Sequence, residues 1–530
     1  MIGSLIRYPV HWPSATPLRQ IAGLLALLAI ALALAWLPLP LAGAALVAAI
    51  AVALVLLRPV WGLAALILLI PFSPLVSLQV GGVSLGGMEG LLALVLVAWL
   101  LRMAARRRIV IPHPPLLLPW LVWLGVILAS WLGALSLGAA LAETVKWLEM
   151  LGLYLFIAAN VERRHLPWLV GAMLLAGAAQ AALGLYQFLF RVGPEGFLLF
   201  GGRFLRASGT FRQPNPYAGY LGLVLPLSYS LAIWGLGRPT AATPGRLADR
   251  RPPTTSHIQR RAPDGPPWTA EGRLHRGKPP LGAAPSPHYV LRLTLYTLLL
   301  GLLLAALYAS QSRGAWVGVA AAIVVVSLAR GGRTAALLAL VIALLAGLGA
   351  MGALSSLPTT VVQRFTDVLP TLRIPDITTA EVTNANFAAI ERLAHWGAAM
   401  AMWRDHLWLG VGFGNYAAAY PAYAIGRWLD PLGHAHNYYL NIGAETGLLG
   451  LLAYGIFWLS ALWLGWRAVR RSHGFQRAVA AGGLGVLVHL SVHNLVDNLF
   501  VQGMYLHVSI ILGVLCIIYQ MKIDNSGRGV

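Results

Sequence analysis

The sequence predicts an all-α fold, a polytopic membrane bundle of about 12–14 transmembrane helices with a long helical extracytoplasmic loop. Two observations carry this expectation. Hydrophobic residues make up 58% of the 530-residue chain and charged residues only 10%, which excludes an ordinary soluble globular protein. The apolar residues also fall into continuous runs of about 17 to 25, the length a helix needs to cross a bilayer and too long for barrel strands.

Fourteen runs qualify, near residues 21–36, 41–57, 60–78, 88–105, 115–135, 142–160, 166–190, 215–236, 289–309, 313–329, 334–356, 434–464, 477–499 and 501–519. The first follows Arg7, His11 and Arg19 with no clear small-residue cleavage site after it, so a retained helix is expected there and not a signal peptide. Three units are expected: N-terminal helices over 1–200, a core over 201–464, and C-terminal helices with a short tail over 465–530.

The formal charge of +21 could point to nucleic acid, but the positive-inside rule explains it better. With a cytoplasmic N-terminus, Arg58, the cluster Arg102, Arg106, Arg107 and Arg108, the pair Arg163 and Arg164, the insert 237–288, Arg330, Arg333, Arg467, Arg470 and Arg471 all fall on the cytoplasmic side. Scattered over short loops, these residues form no stacking platform or groove, so no nucleic-acid partner is expected. Arg191, Arg203, Arg206, Arg212 and Arg313 break the rule by falling on the outer side, and need another reason to be there.

Two segments interrupt the helices. Residues 237–288 hold eleven prolines and almost no apolar periodicity, which reads as a disordered cytoplasmic loop. Residues 357–433 form a long outward loop in which Leu393, Trp396, Met400 and Trp403 recur at helical spacing before glycines 410, 412 and 414. That pattern predicts an amphipathic helix, packed on the outer end of the bundle or acting as a lid. Cys516 is the only cysteine, so no disulfide within the chain and no cysteine-based metal site is possible.

Several polar groups stand out in the apolar runs. In a helix starting at His434, residues Asn437, Asn441 and Glu445 would form one stripe, with His436 pointing about 100° away. The stripe must face protein or water, and it reads mainly as a bond between helices. His489, His493 and Asp497 have metal-ligand chemistry, but on one helix the outer two would lie about 12 Å apart, so a buried network with Asn494 and Asn498 is expected and no metal. Glu143, Lys146 and Glu149 read as a local ion-paired cluster. Glycine-containing loops at helix starts, "RFLRASGTFRQPNPYAGYL" and "SQSRGAWVG", carry the outward arginines; such sites favour phosphate or diphosphate, and each arginine taken alone reads equally as snorkelling to lipid headgroups. With no Walker loop and no folded nucleotide domain, the energy for any reaction must arrive in the substrate.

Four segments taken in order, "GTFRQPNPYAGYLGLVLP", "SQSRGAWVG", "RLAHWGAAMAMWRDHLWLGVGFGNY" and "HAHNYYLNIGAETGLLGLL", resemble the O-antigen ligase and O-antigen polymerase superfamily of integral-membrane glycosyltransferases. The resemblance runs from about Arg203 to Leu464. It implies a donor glycan carried on undecaprenyl diphosphate, an acceptor hydroxyl on a glycan, lipid or protein, and transfer at the extracytoplasmic face of the bacterial plasma membrane without metal or other cofactor. It also implies roles: His436 activates the acceptor hydroxyl, while Arg313 and Arg206, with Arg203 as the second choice, bind the diphosphate. Arg203, Arg212, His434 and Asn437 are the further expected substrate contacts. Two features depart from the family pattern, the count of fourteen spans against about twelve and the proline-rich insert. The same motifs serve ligases and polymerases alike. Anion transport is the competing class, since polytopic proteins with intramembrane histidines and carboxylates are often transporters; it predicts an inverted repeat and midplane polar residues, and neither is evident.

Overall fold

Long apolar runs in a bilayer must satisfy their own backbone groups, and the computed structural model forms helices at thirteen of the fourteen expected runs. It describes residues 38–75, 77–80, 83–107, 112–194, 196–199, 202–235, 287–350, 381–383 and 386–521. The run 21–36, Arg108, nearly all of the insert 237–288 and the first part of the 357–433 loop lie outside the described residues.

In chain order the α-helices are α1 (Leu39–Leu57), α2 (Pro59–Leu69), α3 (Gly87–Ala105), α4 (Leu117–Ser130), α5 (Leu137–Asn160), α6 (Leu166–Phe190), α7 (Pro214–Gly235), α8 (Pro287–Ser310), α9 (Arg313–Arg330), α10 (Gly332–Ala350), α11 (Phe387–Asp405), α12 (Tyr416–Ala419), α13 (Tyr438–Arg471), α14 (Gly474–His493) and α15 (Met504–Gln520). Seven of them are long and apolar enough to cross a membrane: α3, α6, α7, α8, α9, α13 and α14. The fold is therefore an all-α polytopic membrane bundle. Two small antiparallel hairpins accompany it, β1 (Ser77–Val80) with β2 (Val83–Gly86), and β3 (Leu198–Leu199) with β4 (Phe204–Leu205).

The run expected over 60–78 stops being α-helical early. Pro71 and Pro74 remove backbone donors, and the chain continues as a 3-10 turn over Ile70–Leu75.

Burial ranks the helices. Most of α7, α14 and α15 is buried, whereas α1 and α10 expose apolar side chains such as Leu54, Leu57, Leu337 and Leu345, as helices facing lipid do. Close packing at the centre relies on small residues: Gly482 lies against the Leu227 backbone and Gly485 against Pro226 and Val326. A second cluster, Trp120, Trp123, Trp147, Tyr454 and Phe457, joins α4 and α5 to α13 through edge-on ring contacts.

The helix ends sort by charge. At one end Arg102 donates to Leu57 O, Arg330 to Ile233 O and Arg477 to Ala329 O, and Arg163 shares a pocket with His473. Arg102, Arg163 and Arg330, three of the arginines expected on the cytoplasmic side, are at this end. Arg206, Arg212, Arg313 and His436 are all at the opposite end.

Candidate functional site at one end of the bundle

The site begins where α6 pins the loop before α7. Two buried glutamines of α6 supply the anchors: Gln187 Oε1 accepts the amides of Ser208 (3.1 Å) and Gly209 (2.7 Å), and Gln180 Oε1 accepts that of Thr210 (3.2 Å). Thr210 Oγ1 donates to Pro71 O. The loop is thus fixed before α7 starts at Pro214, where proline suits the first helical turn.

Arg206 follows β4 and reaches across to the turn between α8 and α9. Its Nε donates to Ser310 O at 2.9 Å, and one terminal nitrogen to Asn215 Oδ1 at 3.3 Å. The two arginine-bearing motifs are therefore one unit in space, with Arg313 opening α9 two residues beyond Gln311. Arg203 is exposed and lies over the Phe204 ring, and Arg212 is exposed with a left-handed backbone (φ 60°) and donates to Pro74 O at 3.2 Å.

Gly314, next to Arg313, packs on His493 and Val496, leaving no room for a Cβ. That contact carries the arginine unit to the α14–α15 turn, where Asp497 sits. His436 Nδ1 stands 3.9 Å from Asp497 Oδ1. Both His436 ring nitrogens are buried and bond to no protein atom among the described residues. His436 also holds a left-handed backbone, φ 51°, a conformation that costs a non-glycine residue energy and persists where the surroundings impose it.

His436 is not on a helix. Asn437 ends the turn as the N-cap of α13, its Oδ1 accepting the amides of Tyr439 and Leu440, both at 3.1 Å. The expected helix from His434 is corrected accordingly: a capping asparagine starts the helix at Tyr438, and the oxygen of Asn437 is committed to that cap. His434 Nδ1 accepts the His436 amide at 3.0 Å, which sets the two rings edge to face at 4.4 Å. Asn441 and Glu445 face protein, as expected. Asn441 Oδ1 accepts the Ala435 amide and Glu445 Oε1 the Tyr416 amide, both at 3.0 Å, so together they tie down the chain on either side of the site.

Above the turn lies α11. It buries Ile390, Ala394, His395, Ala398, Ala399 and Met402, while Leu393, Trp396, Met400 and Trp403 are half-buried. The buried face is thus not the large-residue stripe the spacing predicts, because small residues let α11 approach α13 closely. Trp396 Nε1 donates to His436 O at 3.3 Å, Arg392 Nε to Val496 O at 3.2 Å, and His395 Nδ1 pairs with Tyr416 OH at 2.9 Å. The helix packs on this end of the bundle and also covers the turn that bears His436.

Four residues near His436 escape sequence reasoning: Asp497, Glu391, Arg392 and His395. For Asp497 the misleading signal was continuous helical spacing. The helix ends at His493, and Asn494, Asp497 and Asn498 accept amides of the following turn, from Leu499, Asn498 and Phe500. The expected network linking these asparagines to His489 does not form; the His489 ring instead fills a slot between Gly222 and Gly318, edge-on to His493. The Glu143–Lys146 pair does form, and Glu149 accepts from Tyr505 OH at 2.6 Å.

Electrostatics set the charge states. Burial would raise the Asp497 carboxyl, but the His436 side chain and the imidazoles of His493 and His434 outweigh it and hold the group well below the usual carboxylate range. Burial, helped by His436, lowers His395 and His434 to about 4, so both are neutral at pH 7. Burial raises Glu391. The arrangement thus offers an imidazole with open nitrogens facing an ionised carboxylate, beside an arginine-bearing pair of helix starts.

Residues 298–455 match the O-antigen ligase family, whereas no curated protein matches the chain. The match supports a glycosyltransferase-type function in polysaccharide assembly. It takes in Arg313, His434, His436 and Asn437, and leaves Arg203, Arg206, Arg212 and Asp497 outside. The matched residues 298–455 are thus similar to the O-antigen ligase family and lie within a multi-pass membrane protein.

Proposed function

We propose that the protein transfers a glycan from undecaprenyl diphosphate to an acceptor hydroxyl at the extracytoplasmic face of the bacterial plasma membrane. The observation that carries this reading is the pairing of His436 with Asp497 at the bundle end where Arg206 bridges to the turn before Arg313. The basic residues at the other end favour a cytoplasmic placement for that end, and so an outward-facing site.

The chemistry needs a proton acceptor and a stabilised leaving group. His436 takes the proton of the acceptor hydroxyl through a ring nitrogen, and the ionised Asp497 stabilises the imidazolium that results. The hydroxyl oxygen forms a bond to the anomeric carbon of the donor as the bond from that carbon to the diphosphate oxygen breaks. The electron pair leaves with the lipid diphosphate, whose growing charge Arg206 and Arg313 offset. Arg203, Arg212 and His434 border the path as substrate contacts. Ligase and polymerase differ in this scheme only in which hydroxyl arrives.

The test is reconstitution with an undecaprenyl-diphosphate-linked glycan and candidate acceptors, comparing wild type with His436→Ala and Arg313→Ala. Consumption of donor by the wild type and its loss in both variants supports the proposal. Donor that binds but is never consumed, whichever acceptor is supplied, sinks it.

A further inference from the structure

We infer that His434, His436 and Asp497 form a binding site for a divalent transition-metal ion, and that a bound ion switches the site off. The donor atoms of the three side chains, one from each, all lie within 4.8 Å of one another. Two imidazoles and a carboxylate are a donor set that selects Zn²⁺ and its neighbours over Mg²⁺, because nitrogen ligands suit the softer ions.

The His436 nitrogens are the second observation. They are buried and bonded to no protein atom among the described residues, so a ligand nitrogen is on offer with nothing to displace. Asp497 keeps one carboxylate oxygen outside the amide contact it makes through Oδ1 with Asn498. His434 must give something up. Its Nδ1 accepts the His436 amide, and coordination through either ring nitrogen ends that bond: Nδ1 would hold the ion itself, or would carry the proton while Nε2 holds it.

Local charge favours a cation. In a chain with 38 basic and 17 acidic residues, the carboxylates of Glu391 and Asp497 interact with His436, and Asp497 also with His434, while the Arg392 guanidinium opposes them. The left-handed backbone of His436 turns its ring towards Asp497 instead of along α13, which brings the three ligands together from two separate turns.

The consequence for transfer rests on the reading of His436 as the proton acceptor; the binding itself does not. A ring nitrogen that holds an ion has no lone pair for a hydroxyl proton, so the loaded protein cannot activate its acceptor. Metal is here an inhibitor.

The test uses the full chain in lipid nanodiscs, titrated with Zn²⁺ by calorimetry and with Co²⁺ by visible absorption. The wild type should hold one tight Zn²⁺, with Co²⁺ giving the intense bands of a four- or five-coordinate ion. His434→Gln and Asp497→Asn should each weaken this site at least about tenfold, since each removes a ligand. Because Asp497 is buried, His434→Gln, at a half-exposed position, carries the test if the other variant does not fold. Binding by His434→Gln equal to wild type overturns the proposal. In the transfer assay Zn²⁺ should inhibit the wild type and a chelator should restore it; undiminished or increased transfer by the loaded protein overturns the switch. Zinc binding as described by a protein that transfers nothing even without zinc upholds the site and defeats the transferase reading instead.

Discussion

His436 and Asp497, from the turns before α13 and after α14, face each other at 3.9 Å and leave both imidazole nitrogens open. If the imidazole is the proton acceptor, His436→Ala should lower kcat by about 10² to 10⁴. Asp497→Asn should lower kcat less, with the affinity for lipid-linked donor unchanged. Equal donor turnover by wild type and His436→Ala would remove the histidine from the mechanism.

Arg313 should act through the planar fork of its guanidinium. Arg313→Ala should weaken donor binding by about 1.5 to 3 kcal/mol, the range of a hydrogen bond to a charged group. Arg313→Lys should recover only part of this, because an ammonium cannot make the bidentate contact. Full recovery in a donor-binding titration would mean that charge alone matters.

Two glycines hold the loop after α11 against α13. Gly410 (φ 66°) would drive a Cβ into the backbone of Glu445 and Thr446, and Gly447 (φ 65°) into that of Trp408 and Leu409. Gly447→Ala should therefore cost more than the about 1 to 3 kcal/mol of a strained left-handed residue alone. A clear drop in melting temperature is the expected result, and a melting curve matching wild type would contradict the crossing.

Acid should loosen the cap that α11 forms over the site. The folded-state value of His395, about 4, lies below its ordinary 6.5, so the unfolded chain takes up this proton first as pH falls. The contribution of His395 is complete above pH 6.5 and is lost on acidification towards 4, by up to about 1.4 kcal/mol per pH unit. His395→Phe, which keeps the stacking on Tyr420, should flatten the melting-temperature profile between pH 6.5 and 4.5. An unchanged slope would show that His395 titrates normally.

Sidedness is open to cysteine labelling, because Cys516 is buried and gives a quiet background. Leu432→Cys should label from outside and Arg470→Cys only from the cytoplasm. Labelling of both from one side would break the topology and the mechanism with it.

The bundle was legible because apolar run length is a direct consequence of bilayer thickness, and the sorting of arginines to one end was legible from the charge bias of the connecting loops. The arginine motifs could be paired from their glycines and helix starts, though nothing local shows that Arg206 grips the carbonyl of Ser310. Asp497 was hidden by its own spacing from His489 and His493, which continues a helical pattern past the residue where the helix stops. The buried face of α11 was hidden for the opposite reason: close packing selected alanines, which weigh little in any hydrophobic pattern. Contacts made through backbone atoms leave no mark in side-chain periodicity.

The break at Gly447 divides α13 in two. Tyr438–Arg471 is 34 residues, about 50 Å if straight and far more than the hydrocarbon core is thick. Beyond the break, Leu448–Arg471 alone is about 36 Å long, enough to enter the bilayer as one segment. The piece before it, Tyr438–Thr446, docks on several neighbours: Ala444 O accepts the Val411 amide, Glu445 the Tyr416 amide, the Tyr438 amide donates to Asn494 O and Tyr439 OH to Ser491 O. Leu448–Arg471 is thus long enough to span the bilayer by itself, whereas Tyr438–Thr446 takes its place from the 407–411 strap, Tyr416 and the end of α14.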